Sequence, residues 1–184
     1  MKASLEADDE VFKNNTLLLV IPQDDHSTLL KVIGPISKKR ICFVTLSKTY
    51  DAIEKDMAGA GVDRKNLFIL DCVTSSFSHM KAPENVVFVP SPDALTDLNI
   101  SIIETLKNEK CDYMIFDSIS TLLTYKDDPI VARFTDFIIG KVKELKSKAI
   151  FTCSENDAKR QAVLEISLHV DKVINASEFN GKKQ

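Results

Sequence analysis

The residues best placed to do chemistry are Asp117 and Ser118, which close the run Cys111-Asp112-Tyr113-Met114-Ile115-Phe116. An apolar run ending on a carboxylate brings that group out at the end of a buried parallel strand, where open α/β sheets bind their ligands. A carboxylate followed by a hydroxyl at such a point is equipped to hold magnesium for a phosphorylated substrate. Without a ligand, the same pair caps the next helix and ties the strand end to its neighbours. A second concentration of polar groups, Pro22-Gln23-Asp24-Asp25-His26-Ser27-Thr28, follows the first apolar run. Asp24 and Asp25 offer metal or phosphoacceptor oxygens or, more simply, negative charge at a helix entry, where it offsets the macrodipole. His26, His79 and His169 are isolated in sequence, and none has a partner that would make it a base.

Positioning these groups takes an alternation of strands and helices, and the sequence supplies one. Thr-Leu-Leu-Leu-Val-Ile over 16–21 predicts a central strand stopped by Pro22. Helix-start residues follow, with Leu29, Leu30, Ile33 and Ile36 on one face and Gly34-Pro35 cutting the helix short. Residues 40–46 predict the next strand, Ser47 a cap for a helix over 48–59, and residues 66–72 a third strand ending at Asp71. Residues 73–85 are polar and aperiodic, a surface loop. A short strand at 86–89 leads to Ser91-Pro92-Asp93, the start of a helix to about residue 110. After the Asp117 strand, Asp128-Pro129 opens an amphipathic helix to about residue 146, then come a strand at 148–153, a helix at 158–168 and a strand at 171–176. Tyr113, Phe116, Phe134, Phe137 and Phe151 sit at core spacing. Strands apolar on both faces imply a mainly parallel sheet with helices on each side, a three-layer α/β/α sandwich. The expected organisation is an acidic N-terminal extension over 1–15, carrying Glu6, Asp8, Asp9 and Glu10, one α/β domain over 16–176, and a polar tail over 177–184.

Composition narrows the function classes. The 184 residues suffice for one domain with a substantial core; 44% hydrophobic and 28% charged residues argue against disorder. A net charge of −3 provides no general attraction to nucleic acid or anionic membranes. The basic cluster Lys38-Lys39-Arg40 reads as a solvated helix end. The acidic start does not have the form of a signal peptide, and no apolar run reaches the roughly 18 residues of a membrane span, so a cytoplasmic protein is expected. Cys42, Cys72, Cys111 and Cys153 are widely separated within apolar runs and are expected to be buried thiols rather than metal ligands or disulfides.

The segment from Cys111 to Tyr125 resembles the Walker B segment of RecA-superfamily ATPases, and within them the archaeal KaiC- and RadA-like branch. Val-Pro-Ser-Pro-Asp-Ala-Leu-Thr-Asp-Leu before it, Arg133-Phe134 after it, and the later Ala-Ile-Phe-Thr and Val-Asp-Lys-Val-Ile runs extend the likeness over about 16–176. The resemblance implies a RecA-like P-loop NTPase fold. It also implies a G-x-x-x-x-G-K-[ST] loop after the first strand, whose glycines admit backbone N–H groups to the phosphates and whose lysine neutralises them. At the matching positions Ile21 and His26 replace the glycines and Ser27 the lysine; only Thr28 agrees. Pro22 lacks an N–H, and Asp24 and Asp25 add negative charge. The glutamate expected at the end of the second strand is missing too, since Val44-Thr45-Leu46 runs into Ser47-Lys48.

The resemblance with these losses predicts a pseudo-ATPase: a catalytically inactive domain, with no cofactor, nucleotide-binding residues or metal, Asp117 and Ser118 being a Walker B remnant. Its expected role is regulatory or scaffolding, through a protein partner or self-association. The further C-terminal strands typical of the family are missing or cut short after the Val-Asp-Lys-Val-Ile run, so a monomer or dimer is as well supported as a RecA-type hexamer. One alternative is an unorthodox ATP-binding protein or ATPase that retains Asp117 and uses Mg-ATP. Another is a receiver-like signalling domain built on Asp24-Asp25, Asp71 or Asp117, Thr152 and Lys172, but the spacing fits poorly and Lys172 lacks a following proline.

Overall fold

The structure, a computed structural model, describes residues 12–22 and 26–176. Seven strands form one sheet: β1 (Thr16–Ile21), β2 (Ile41–Thr45), β3 (Leu67–Asp71), β4 (Val86–Phe88), β5 (Tyr113–Asp117), β6 (Lys148–Ser154) and β7 (Lys172–Asn175). Their order is β4-β3-β2-β5-β6-β1-β7, and every pairing is parallel. The helices are α1 (His26–Ile33), α2 (Tyr50–Gly59), α3 (Leu95–Asn108), α4 (Ile119–Leu122), α5 (Asp128–Glu144) and α6 (Gln161–His169).

Handedness explains the layers. The crossovers through α1 and α2 move one way along the sheet, those through α3, α5 and α6 the other, so right-handed connections put the two groups on opposite faces. The buried clusters agree. Leu29, Val32, Ile53 and Met57 from α1 and α2 pack on Leu17, Leu19, Phe43 and Ile69. Leu98, Ile102, Val131, Ile138 and Ile166 pack on the alternate residues Leu18, Val44, Phe116 and Phe151. Phe43, Phe116 and Phe151 are completely enclosed, each burial stabilising by about 2–3 kcal/mol relative to exposure.

Several boundaries differ from the expectation. α2 starts at Tyr50 with Thr49 as its N-cap, because the Asp71 carboxylate accepts the Tyr50 N–H from across the sheet and takes the place assigned to Ser47. α3 starts at Leu95, after a turn through Ser91, Pro92 and Asp93, and α6 starts at Gln161 behind a 3-10 turn at Glu155–Asp157. Phe137, expected in the core, is 45% exposed: Phe134 and Ile138 hold the inward stripe of α5, and Phe137 lies on its shoulder with the Lys141 ammonium 5.9 Å from the ring. Tyr113, Phe116, Phe134 and Phe151 are buried as predicted.

α2, α3 and α5 all end in a residue with left-handed backbone just past the cap. After α2 it is Gly61 (φ 81°), but after α3 and α5 it is Lys110 (φ 50°) and Lys146 (φ 58°). A side chain at such a position costs on the order of 1 kcal/mol relative to glycine.

Candidate functional site

The candidate site lies at the C-terminal ends of β2 and β5, where the chain turns one way to β3 and the other way to β6. Thr45 and Asp117 are paired in register there, and the Leu46 N–H donates to the Asp117 carbonyl at 3.0 Å. Asp117 is half-buried, and its peptide bond to Ser118 is cis. Its Oδ1 accepts the Thr152 hydroxyl at 2.7 Å, and that hydroxyl is also 3.2 Å from the Phe116 carbonyl. Thr152 is sealed in the sheet, so this bond stitches the end of β5 to β6. Ser118 caps α4: its Oγ accepts the Thr121 N–H at 3.1 Å and lies 3.0 Å from the Thr121 hydroxyl. The Ser120 Oγ accepts the Ser154 N–H at 2.8 Å, a second stitch to β6. The capping and tying functions read from the sequence for Asp117 and Ser118 are both present.

On the other side of the switch point, Thr45 is completely buried. Its hydroxyl donates to the Lys48 carbonyl (2.8 Å) and accepts the Lys48 N–H (3.1 Å). The Lys48 ammonium turns away to Asp56 at 2.7 Å. Next along the sheet, Asp71 is fully enclosed and saturated. Oδ1 accepts the N–H groups of Val73 (2.7 Å) and Thr74 (2.9 Å), and Oδ2 accepts the Tyr50 N–H (2.8 Å) and the Thr74 hydroxyl (2.6 Å). Four donors on one carboxylate compensate its desolvation and fix the start of the 73–85 loop.

Of the loop after β1, Gln23, Asp24 and Asp25 lie outside the described residues. Pro22 follows the strand at half burial, His26 begins α1, Ser27 is exposed and Thr28 is buried. β6 separates β1 from β5. β2 and β5 separate Asp71 from Thr152, so the structure pairs Thr152 with Asp117 rather than with Asp71. Lys172 lies on β7 at the sheet edge, away from Asp71. His169 meets Asp136 on α5, far from the strand ends that carry Asp117.

Two arrangements had no local signal. Asp128, read as the start of α5, uses its carboxylate on α6, accepting from the Arg160 guanidinium and from the Ala162 N–H at 3.0 Å. The Thr45–Lys48 turn is a side-chain closure that strand periodicity does not encode. Among the described residues, no three His, Cys, Asp or Glu side chains stand together where they could hold a metal, and no helix is long and apolar enough to cross a membrane.

A wholly parallel sheet between two helical layers, with polar groups gathered at the C-terminal strand ends, defines a doubly wound α/β domain. The sequence model of DUF7504, a family of unknown function, matches residues 15–176, and the chain belongs to that family. No curated protein matches. Among solved structures, the KaiC-like protein PH0186 from the hyperthermophilic archaeon Pyrococcus horikoshii OT3 is similar over 88% of this chain and 70% of that one, with a TM-score of 0.64 and 15% identity. At that identity the likeness is one of fold, and the RecA/KaiC-like architecture expected from the sequence is the one found.

Proposed function

We propose that the chain is a catalytically inactive RecA/KaiC-like domain that acts as a regulatory or scaffolding module by binding protein. The observation that carries this reading is the end of β2. The position from which a carboxylate would activate water is Thr45, enclosed, with its hydroxyl consumed by Lys48 of the same turn. A threonine hydroxyl there cannot serve as a general base near neutral pH. The residues fit Mg-ATP poorly elsewhere as well. Asp117 is drawn into the Thr152 bond, and the positions matching the phosphate loop carry Ser27 instead of lysine and Ile21 and His26 instead of glycine. Losing the lysine and gaining Asp24 and Asp25 leaves a triphosphate several kcal/mol short of its usual stabilisation, on the order of one charge-assisted contact plus repulsion.

The protein-binding half draws on apolar side chains held in solvent. Leu168 is 82% and Leu164 54% exposed, one turn apart on α6. Neighbouring apolar groups of this kind mark interaction surfaces.

Calorimetric titration with Mg-ATP and a phosphate-release assay test the first half. Neither saturable binding nor turnover is expected. Binding that Asp117→Ala abolishes would establish the competing reading, an ATP-binding protein that retains its Walker B carboxylate. Affinity capture followed by mass spectrometry tests the second half, with Leu164→Ser/Leu168→Ser expected to lose the partner that the wild type retains.

A further inference from the structure

At the end of the sheet opposite Asp117, a cavity of about 350 Å³ opens between the C-termini of α3 and α5, at the beginnings of β5 and β6. Its floor is apolar, from Leu106, Cys111 and Leu145, with the Ser147 hydroxyl donating to the Cys111 carbonyl at 2.8 Å. Lys107, Lys110 and Lys146 surround it. Among the described residues none of the three meets a carboxylate, as is also true of Lys31 and Lys55 on other helices, whereas Lys141 and Lys143 on α5 do. The one carboxylate in the lining, Asp112, accepts the Arg40 backbone N–H at 2.9 Å. The neighbouring Glu109 is held by the Arg40 guanidinium at 3.1 Å. The cavity therefore carries an excess of positive charge on a chain whose net charge is −3.

Cations near helix C-termini offset the macrodipole, and that alone would account for Lys107 in the last turn of α3. It accounts less well for Lys110 and Lys146. Both occupy the left-handed position past the cap that glycine fills most easily, and after α2 the equivalent residue is Gly61. The two helix ends that border the cavity keep lysine in spite of the strain, and the third uses glycine.

We infer that this cavity binds a compact polyanion, a small molecule carrying a phosphate or pyrophosphate group. Three ammonium groups on flexible stems can reach the oxygens of a doubly charged phosphate group without needing a planar fork, which suits lysine better than arginine. The volume lies at the low end for small-molecule sites, and three cations are too few to follow a nucleic-acid backbone. The site is separate from the Asp117 strand ends and does not depend on whether those bind ATP.

The test is calorimetric titration of the full chain with magnesium-free inorganic pyrophosphate at about 50 mM salt, where charge contacts are weakly screened. Wild type is expected to bind one pyrophosphate with submillimolar affinity, and Lys110→Gly/Lys146→Gly to bind it at least about tenfold more weakly. Glycine suits the backbone at both positions, so the variant should melt no lower than wild type, and lost binding could not be blamed on unfolding. Lys31→Ala/Lys55→Ala removes the same charge from exposed helix positions elsewhere and should leave binding unchanged. No saturable binding by wild type, equal affinity in the glycine variant, or equal loss in the control would each overturn the inference. A Mg-ATP signal lost in Asp117→Ala but kept in the glycine variant would count against the inactive-domain reading alone.

Discussion

The Thr152 hydroxyl lies 2.7 Å from Asp117 Oδ1, joining the last residue of β5 to the neighbouring strand. The bond gives the carboxylate a structural function. Thr152→Val removes the donor almost isosterically and is expected to destabilise the fold by about 1–2 kcal/mol in urea denaturation. Asp117→Asn keeps an acceptor oxygen and should cost less than about 1 kcal/mol. A larger loss for Asp117→Asn than for Thr152→Val would show that the negative charge itself is needed.

Ser118 caps the short helix α4 through its side chain. Replacing it with alanine should cost about 1 kcal/mol, read from the same denaturation curves.

Asp71 gathers four donors in a fully enclosed site. Asp71→Ala strands buried N–H groups at the starts of α2 and the 73–85 loop and should cost at least about 3 kcal/mol. Amide exchange should accelerate first at Tyr50, Val73 and Thr74. Unchanged exchange there would contradict the assigned contacts.

The Arg160 side-chain hydrogen bond, helped by the Ala162 N–H, holds the Asp128 carboxyl below the ordinary carboxylate range. A carboxyl lowered in the folded state contributes stability above its unfolded pKa of about 3.9, and loses it as pH falls through the lower folded value. Asp128→Asn should therefore be less stable than wild type at pH 7, with the gap closing as the solution is acidified below about pH 4. A gap independent of pH would assign the effect to packing instead.

Burial pushes the Cys72 and Cys111 thiols up to about 12 and Cys153 up to about 11, and raises Cys42 well above its ordinary value. All four are enclosed and unpaired with one another. At pH 8 a thiol-reactive dye should label the native protein slowly and all four cysteines rapidly once urea is added. Fast labelling of the native chain would mean that a strand opens locally.

Much of this architecture was legible in the sequence because the signals were local. Leu-Leu-Leu-Val-Ile, Ile-Cys-Phe-Val and Met-Ile-Phe are apolar on both faces, which only a doubly covered parallel strand requires. The end of one such run at Asp117 and the capping hydroxyl of Ser118 could be read in the same way. What escaped depended on distant parts of the chain. Thr49 rather than Ser47 stands at the N-cap position of α2, and the carboxylate that accepts from its first turn is that of Asp71, on the next strand, through the Tyr50 N–H. Asp128 is used by Arg160 because α5 and α6 pack together. Phe137 was misplaced because a helical stripe has shoulders, and periodicity does not say how far the neighbouring helix reaches.

Strand order also bears on how the protein is made. Among the described residues β1 pairs with β6 and β7, the two strands farthest from it along the chain, and the block β4-β3-β2-β5 can assemble without it. On the ribosome the Leu17–Leu18–Leu19 stretch must wait, solvated or loosely sheltered, until Lys148–Ser154 emerges beside it. Leu17–Leu18–Leu19, in the first of the described strands, is therefore left without a neighbour until the sixth is made, whereas β2 can pair with β3 as soon as that strand emerges.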